Sequence, residues 1–339
     1  MSTTRREVLR AGALGAAAVL ASPFLTWAQQ NPSASQPGKG KKLLFFTKSQ
    51  GFPHPAVTRK KKPDGTPVDD LAWGEKYIKD WGTEAGYDVT VSKEGSIFTP
   101  ENIAKFDCFI FYTTGDLTKP PGTQYDSDKT TAMPVEGKAA FLKAIEDGKG
   151  FIGLHSGSDT FENLGNKNDP VRIIPKDVKI DPYCAMLGAE FTSHGSQQPA
   201  TIRVASKTFP GLEDIKEVKL TEEWYSFTNI IPDLHVILVQ DTTTMKTDAR
   251  GSREKQYAGD PYPETWARMQ GKGRVFYTSM GHRDDIWAPA TNPLYKKLVL
   301  AAMAWTTGLV NADVKSNMAE ACPKLWAAAN PTAATAPAM

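Results

Sequence analysis

"GKGFIGLHSGSDTF", Gly148 to Phe161, holds an apolar run, Phe151 to Leu154, that stops at His155 and gives way to small polar residues. An unbroken apolar run of this length is what a strand buried on both faces shows, and a turn of small residues after it is where function gathers. In nucleophile-elbow enzymes such a turn presents Ser or Cys. Here it presents His155, with Ser156 next. A Ser hydrolase would need G-x-S-x-G and a Cys amidotransferase a Cys at the elbow, and neither is present.

The neighbouring segments extend this strand into an α/β pattern. Leu43 to Thr47 reads as a first strand left through the loop "SQGFPH". Asp69 to Gly86 reads as a helix with Trp73, Tyr77 and Trp81 at i, i+4 and i+8. "YDVTVS" and "FDCFIFYTT" read as strands, the second ending at Gly115, and Val135 to Asp147 as a helix. This alternation predicts a largely parallel sheet, whose ligands gather outside the C-terminal strand ends. His54, Gly115, Asp116 and His155 therefore fall near one edge. A short helix ending near Gly188 follows, then strands "ATIRVAS", "EVKLTEEWYSF", "HVILVQ", "TWARMQ" and "RVFYTSM" that extend the same sheet. The last helix spans about Pro293 to Thr307.

The chain has 339 residues, a net charge of +2, and 40% hydrophobic and 23% charged residues. Nothing in that balance marks a nucleic-acid partner. The basic run "RKKKP", Arg59 to Pro63, reads as a solvated loop. No P-loop or G-x-G-x-x-G occurs, so no nucleotide cofactor is expected. Three cysteines cannot all pair, no Cys/His spacing suggests a structural zinc site, and Cys108 reads as a small buried hydrophobe. "TTRREVLRAGALGAAAVLASPFLTWAQQ" resembles a twin-arginine export signal, cleaved after about Ala28. Residues 29–41 read as a linker, 42–310 as the folded domain and 311–339 as a tail. The expected location is the periplasm or outside the cell, with no membrane span once the leader is removed.

Five histidines are present, and four of them, His54, His155, His194 and His282, sit at apparent strand ends beside small residues. His235 begins a strand and reads as structural. Imidazoles brought together there offer acid–base catalysis or nitrogen ligands for Zn²⁺, Mn²⁺ or Fe²⁺. Carboxylates stand nearby at Asp159, Glu222, Glu223, Asp284 and Asp285. His155, Glu223 and His194 are the candidate catalytic residues. His54, His155, His194 and His282 are the candidate ligands for one divalent metal. Trp224, Tyr225, Asp159, Gly115 and Asp116 are the candidate substrate contacts, the two aromatics by stacking on a sugar ring.

From about Lys42 to Leu309 the chain resembles the ThuA-like (trehalose utilisation) family of the class I glutamine amidotransferase-like superfamily. The matching pieces are "LLFFTKSQGFPH", "GKGFIGLHSGSDTF", "MLGAEFTSHGSQQPATIRV", "TEEWYSF", "TWARMQGKGRVFYTSMGHRDDIW" and "LVLAAMAWTTG". The resemblance implies a flavodoxin-like three-layer α/β/α sandwich with a mostly parallel central sheet. It puts the lost amidotransferase nucleophile at the His155 turn, so glutaminase chemistry is gone. It also implies carbohydrate metabolism, particularly of sugars oxidised to 3-keto forms. The expectation is an exported enzyme of isomerase, lyase or hydrolase type on a small carbohydrate, alone or as a homo-oligomer. The alternatives are a non-catalytic sugar-binding protein and a metal-dependent hydrolase of another small molecule. The insertions at Arg59 to Asp70, Asn163 to Pro182 and Thr242 to Glu264 would shape the substrate mouth.

Overall fold

Strands covered on both faces have no polar side to show, and three of them make the middle of the sheet. β1 (Lys42–Phe46), β3 (Cys108–Phe111) and β4 (Gly150–Leu154) are buried almost throughout. β2 (Asp88–Ser92) is half exposed, as suits an edge. In this computed structural model, which describes residues 37–66, 68–120, 129–161, 179–206, 208–246, 257 and 261–329, these four strands pair in parallel.

β11 (Gly273–Thr278) adds to β4, also in parallel. β10 (Tyr262–Gln270), β9 (His235–Asp241), β6 (Gln198–Val204) and β7 (Glu217–Glu222) then follow in antiparallel pairs. The result is one nine-stranded sheet in the order β2-β1-β3-β4-β11-β10-β9-β6-β7. The second half of the chain thus widens the first half's sheet, as its strand pattern predicts.

Helices cover both faces. α1 (Trp73–Glu84) starts later than the expected Asp69, where the Glu75 side chain accepts from the N–H of Ala72 at 2.8 Å. Next come α2 (Pro100–Ile103), α3 (Val135–Glu146), α4 (Pro182–Leu187), α5 (Asp284–Trp287) and α6 (Pro293–Thr306). Side chains of β11 alternate between the two helix layers. Tyr277 meets Trp266, with ring centroids 4.4 Å apart, beside α4, whereas Phe276 meets Phe209, which touches Trp305 of α6. Trp81 of α1 stacks on Trp287 of α5, and Phe141 of α3 stacks on Phe111 of β3. The predicted buried face of α6, Leu294, Leu298, Ala301, Ala302 and Trp305, is buried. All three cysteines are buried and none is in a disulfide, and burial pushes the Cys108 thiol up to about 12.

Two readings of the sequence need revision. "EVKLTEEWYSF" is two strands: β7 ends at Glu222, and β8 (Tyr225–Thr228) pairs with β5 (Glu190–His194) in a separate two-stranded sheet. Glu223 and Trp224 make the crossing between them. Arg59 is not simply solvated. It grips the buried Glu75 through Nε at 2.8 Å and a second nitrogen at 3.2 Å. The part of the tail described here is packed, with α7 (Met318–Ala321) and α8 (Pro323–Ala329). Met318 and Cys322 are buried, Asn317 exchanges hydrogen bonds with the Val236 backbone, and the carbonyl of Lys315 meets His235 Nδ1 at 2.7 Å. His235 is therefore structural, as expected.

The leader, most of the linker, most of the Asn163–Pro182 and Thr242–Glu264 insertions and the final ten residues lie outside the described residues. Among the described residues, no helix is long and apolar enough to cross a membrane.

Candidate active site and metal centre

Three parallel strands each release a histidine at their C-terminal end, as the topology of such sheets requires. His54 lies in the loop after β1. That loop is pinned to the segment after β3: Gln50 and Gly51 donate to the carbonyl of Thr114 at 2.8 and 3.1 Å. Gly115 makes this approach possible. It sits at φ +73°, and a Cβ there would lie 2.7 Å from the Gly51 nitrogen. His155 follows β4 directly at φ +43°, a left-handed conformation that costs a non-glycine residue and gathers at functional turns. His282 lies in the loop after β11. Glu223 arrives from the other side, where the chain leaves β7 for β8.

Donor atoms of His54, His155, Glu223 and His282 all lie within 4.8 Å of one another. The ring centroids of His54 and His155 are 4.9 Å apart, those of His54 and His282 5.4 Å, and those of His155 and His282 5.3 Å. Glu223 Oε2 stands 3.5 Å from His155 Nε2 and 3.1 Å from His282 Nδ1. These approaches are close but unaligned. His54 Nδ1, His155 Nε2 and His282 Nδ1 are buried without a hydrogen-bond partner. Buried polar atoms normally find partners, so three orphans aimed at one place need a reason.

The far side of two of the rings is held. His155 Nδ1 lies 2.6 Å from the carbonyl of Ser279 and donates to it, which leaves the Nε2 lone pair free for the centre. His54 Nε2 meets Tyr225 Oη at 3.3 Å. The carbonyl of His155 accepts from Tyr277 Oη at 2.8 Å, which helps fix the strained turn.

Burial holds the pKa of His54 and His155 below the usual imidazole value, and the neighbouring imidazoles reinforce it. Burial alone would also lower His282, but Glu223 outweighs it and raises the group. Burial works to raise Glu223, yet His155, His282 and His194 hold it well below the usual carboxylate range. Near neutral pH the site thus offers two neutral imidazoles, a third whose charged form Glu223 favours, and an anion. Neutral nitrogens with one carboxylate suit zinc, manganese or ferrous iron.

The other expected site residues fall around this centre. His194, at the end of β5, stands outside the four donors; its side chain is 44% exposed and Nδ1 lies 3.3 Å from Glu223 Oε1. Tyr225 lies over His155, with centroids 4.2 Å apart, but is itself buried. Trp224 is fully buried and donates Nε1 to the carbonyl of Gln198 at 2.8 Å, so it belongs to the core and offers no face to a sugar. Asp159 and Gly115 meet through the backbone, the N–H of Gly115 donating to the Asp159 carbonyl at 2.7 Å, and the Asp159 charge bears on Tyr225. Asp116 turns away to a local turn, accepting from the N–H and hydroxyl of Thr118.

Two further residues carry no sequence signal of their own. Phe52 is 54% exposed and packs edge-on to His54 at 5.0 Å. Tyr112 sits between His155 and Trp287. The fold and site together define a flavodoxin-like α/β protein whose strand-end loops bring together a histidine and carboxylate cluster.

The family follows from comparison. A family model described as "ThuA: Trehalose utilisation" matches residues 57–306, and the chain belongs to that family. The crystal structure of a ThuA-like protein from Bacteroides uniformis ATCC 8492 is similar at 16% identity and a TM-score of 0.51, covering 79% of this chain and 92% of that one. A ThuA-like protein from Parabacteroides merdae ATCC 43184 aligns at 15% identity and a TM-score of 0.49, over 84% and 97% of the two chains. The Bacteroides uniformis likeness is one of fold. No curated protein matches the sequence. Family membership places the chain in carbohydrate metabolism.

Proposed function

We propose that the protein is an exported, metal-dependent enzyme acting on a 3-keto-glycoside or a related keto-sugar. The observation that carries the reading is the set of three buried, partnerless imidazole nitrogens converging with Glu223. His54, His155, His282 and Glu223 would hold one divalent ion, which supplies Lewis-acid polarisation of a ketone oxygen.

The remaining chemistry falls to residues outside that set. A ketone at C3 acidifies the hydrogen at C2. His194 is the base in this reading, because it is half exposed and retains a ring next to Glu223 Oε1. It removes the C2 proton, and the electron pair passes into the C2–C3 enolate. Collapse of that enolate expels the C1 oxygen substituent, which takes up the proton from the imidazolium. Reprotonation at C2 from the opposite face instead gives the C2 epimer, and protonation at C3 with loss of the O2 proton moves the ketone to C2. Glu223 is a poor base, since the histidines hold it ionised. Phe52, exposed beside His54, is the aromatic surface available to a pyranose. The arginine pair in "TTRREVLR" and the apolar stretch after it support export.

The test is turnover of keto-disaccharides by the purified protein, with and without chelator, alongside His194→Ala. Chelation should abolish turnover. His194→Ala should also abolish it while leaving metal content unchanged. Turnover untouched by both would sink the reading, and tight sugar binding without turnover would make the protein a binding protein.

A further inference from the structure

Glu222 is outside the donor set, yet it holds two of the set's members. It is the last residue of β7 and is fully buried. One oxygen, Oε1, accepts the backbone N–H of Glu223 at 2.7 Å. The other, Oε2, accepts the backbone N–H groups of Gly281 at 3.0 Å and His282 at 3.2 Å. The Gly281 carbonyl is fixed from its own side by Tyr112 Oη at 3.1 Å and Trp287 Nε1 at 2.8 Å. One carboxylate thus ties the crossing that delivers Glu223 to the loop that delivers His282.

We infer that Glu222 is a positioning residue, setting the separation of Glu223 and His282 so that a divalent metal meets them already placed. The inference rests on the metal reading above. Its chemistry is specific to a carboxylate. Three N–H donors converge on two oxygens, and only a group that accepts at both ends satisfies them. Glutamine accepts at one end only. Its NH₂ would face either the N–H of Glu223 or the pair from Gly281 and His282, donor against donor. Burying a carboxylate is itself costly. Groups that orient ligands in this way commonly govern metal affinity by 10- to 100-fold.

The experiment compares full-length wild type with Glu222→Gln, both stripped of metal. Zn²⁺ and Co²⁺ affinities are measured by competition with a chromophoric chelator, the Co²⁺ absorption spectrum is recorded, and metal-free melting temperatures are taken. We expect about a 10- to 100-fold loss of affinity and a changed Co²⁺ spectrum, together with a lower metal-free melting temperature from the donor-against-donor contact. A merely structural role would lower the metal-free melting temperature alike but leave the affinity and spectrum of the folded fraction unchanged. Glu222→Asp, which keeps both oxygens but withdraws them, should lose affinity as well and serves if the glutamine variant fails to fold. Wild-type affinity and spectrum in either folded variant overturn the inference alone. A wild-type protein that binds neither ion overturns the metal reading and the inference with it.

Discussion

Gly115→Ala probes how the fold delivers His54 without altering any site side chain. The residue sits at φ +73°, where a non-glycine residue costs about 1 to 2 kcal/mol. A Cβ there would also stand 2.7 Å from the Gly51 nitrogen and 2.9 Å from the Gln50 carbonyl carbon. Both are backbone atoms, so relief requires shifting the loop that carries His54. Overpacking of this kind adds about 1 to 3 kcal/mol. Gly308→Ala is the control: φ is +79°, yet nothing lies within 4 Å of the added Cβ. The control should lose about 1 to 2 kcal/mol, and Gly115→Ala at least about 1 kcal/mol more. At about 2 °C per kcal/mol for a chain of this size, thermal denaturation separates them. The loop shift should also weaken metal binding at Gly115→Ala and not at Gly308→Ala. Equal losses in the two variants, or an unchanged metal affinity at Gly115→Ala, would refute the argument that this glycine sets the position of His54.

Arg59→Ala should destabilise the fold by about 1 to 2 kcal/mol in urea titration, below the usual cost of breaking a buried ion pair. The discount reflects the 28% exposure of Arg59 and the continued presence of Lys93, 3.8 Å from Glu75; no loss would return Arg59 to the solvated surface. Metal uptake should weaken as pH falls through neutrality. The raised pKa of His282 means a proton must leave before that nitrogen can bind, whereas His54 and His155 are lowered and already neutral. Affinity that stays flat from pH 8 to pH 5 would contradict this. Phe52→Ala should raise KM for the sugar with metal content unchanged. Trp224→Phe should leave KM alone and cost about 1 kcal/mol of stability for its lost hydrogen bond to Gln198. The opposite pattern would restore Trp224 as the sugar contact.

Much of the parallel half is legible from the chain, because strands buried on both faces print as unbroken apolar runs. "LLFF", "CFIF" and "FIGL" could hardly be anything else between two helix layers. Their C-terminal ends are equally legible, and so are the histidines found there. What periodicity cannot show is a strand that changes sheets. "EVKLTEEWYSF" stays strand-like across a crossing at Glu223 and Trp224, and those consecutive residues go to opposite places, one to the site and one to the core. The composition of the donor set is hidden for a related reason. Glu223 stands among the rings and His194 outside them because of where β5 and β8 pair, a tertiary fact without a local trace. Arg59 looks like its lysine neighbours until α1 brings Glu75 beneath it. The segment from Asn311 to Ala329 lacks a strong apolar period, yet it is held by backbone and side-chain hydrogen bonds to the start of β9.

The most direct test of the account is elemental analysis of the full chain purified without added metal, paired with His155→Ala. The wild type should carry about one equivalent of zinc, manganese or iron per chain, lost in His155→Ala while the variant remains folded. A wild-type protein that is active on a keto-sugar, contains no transition metal and takes up none on titration would contradict it.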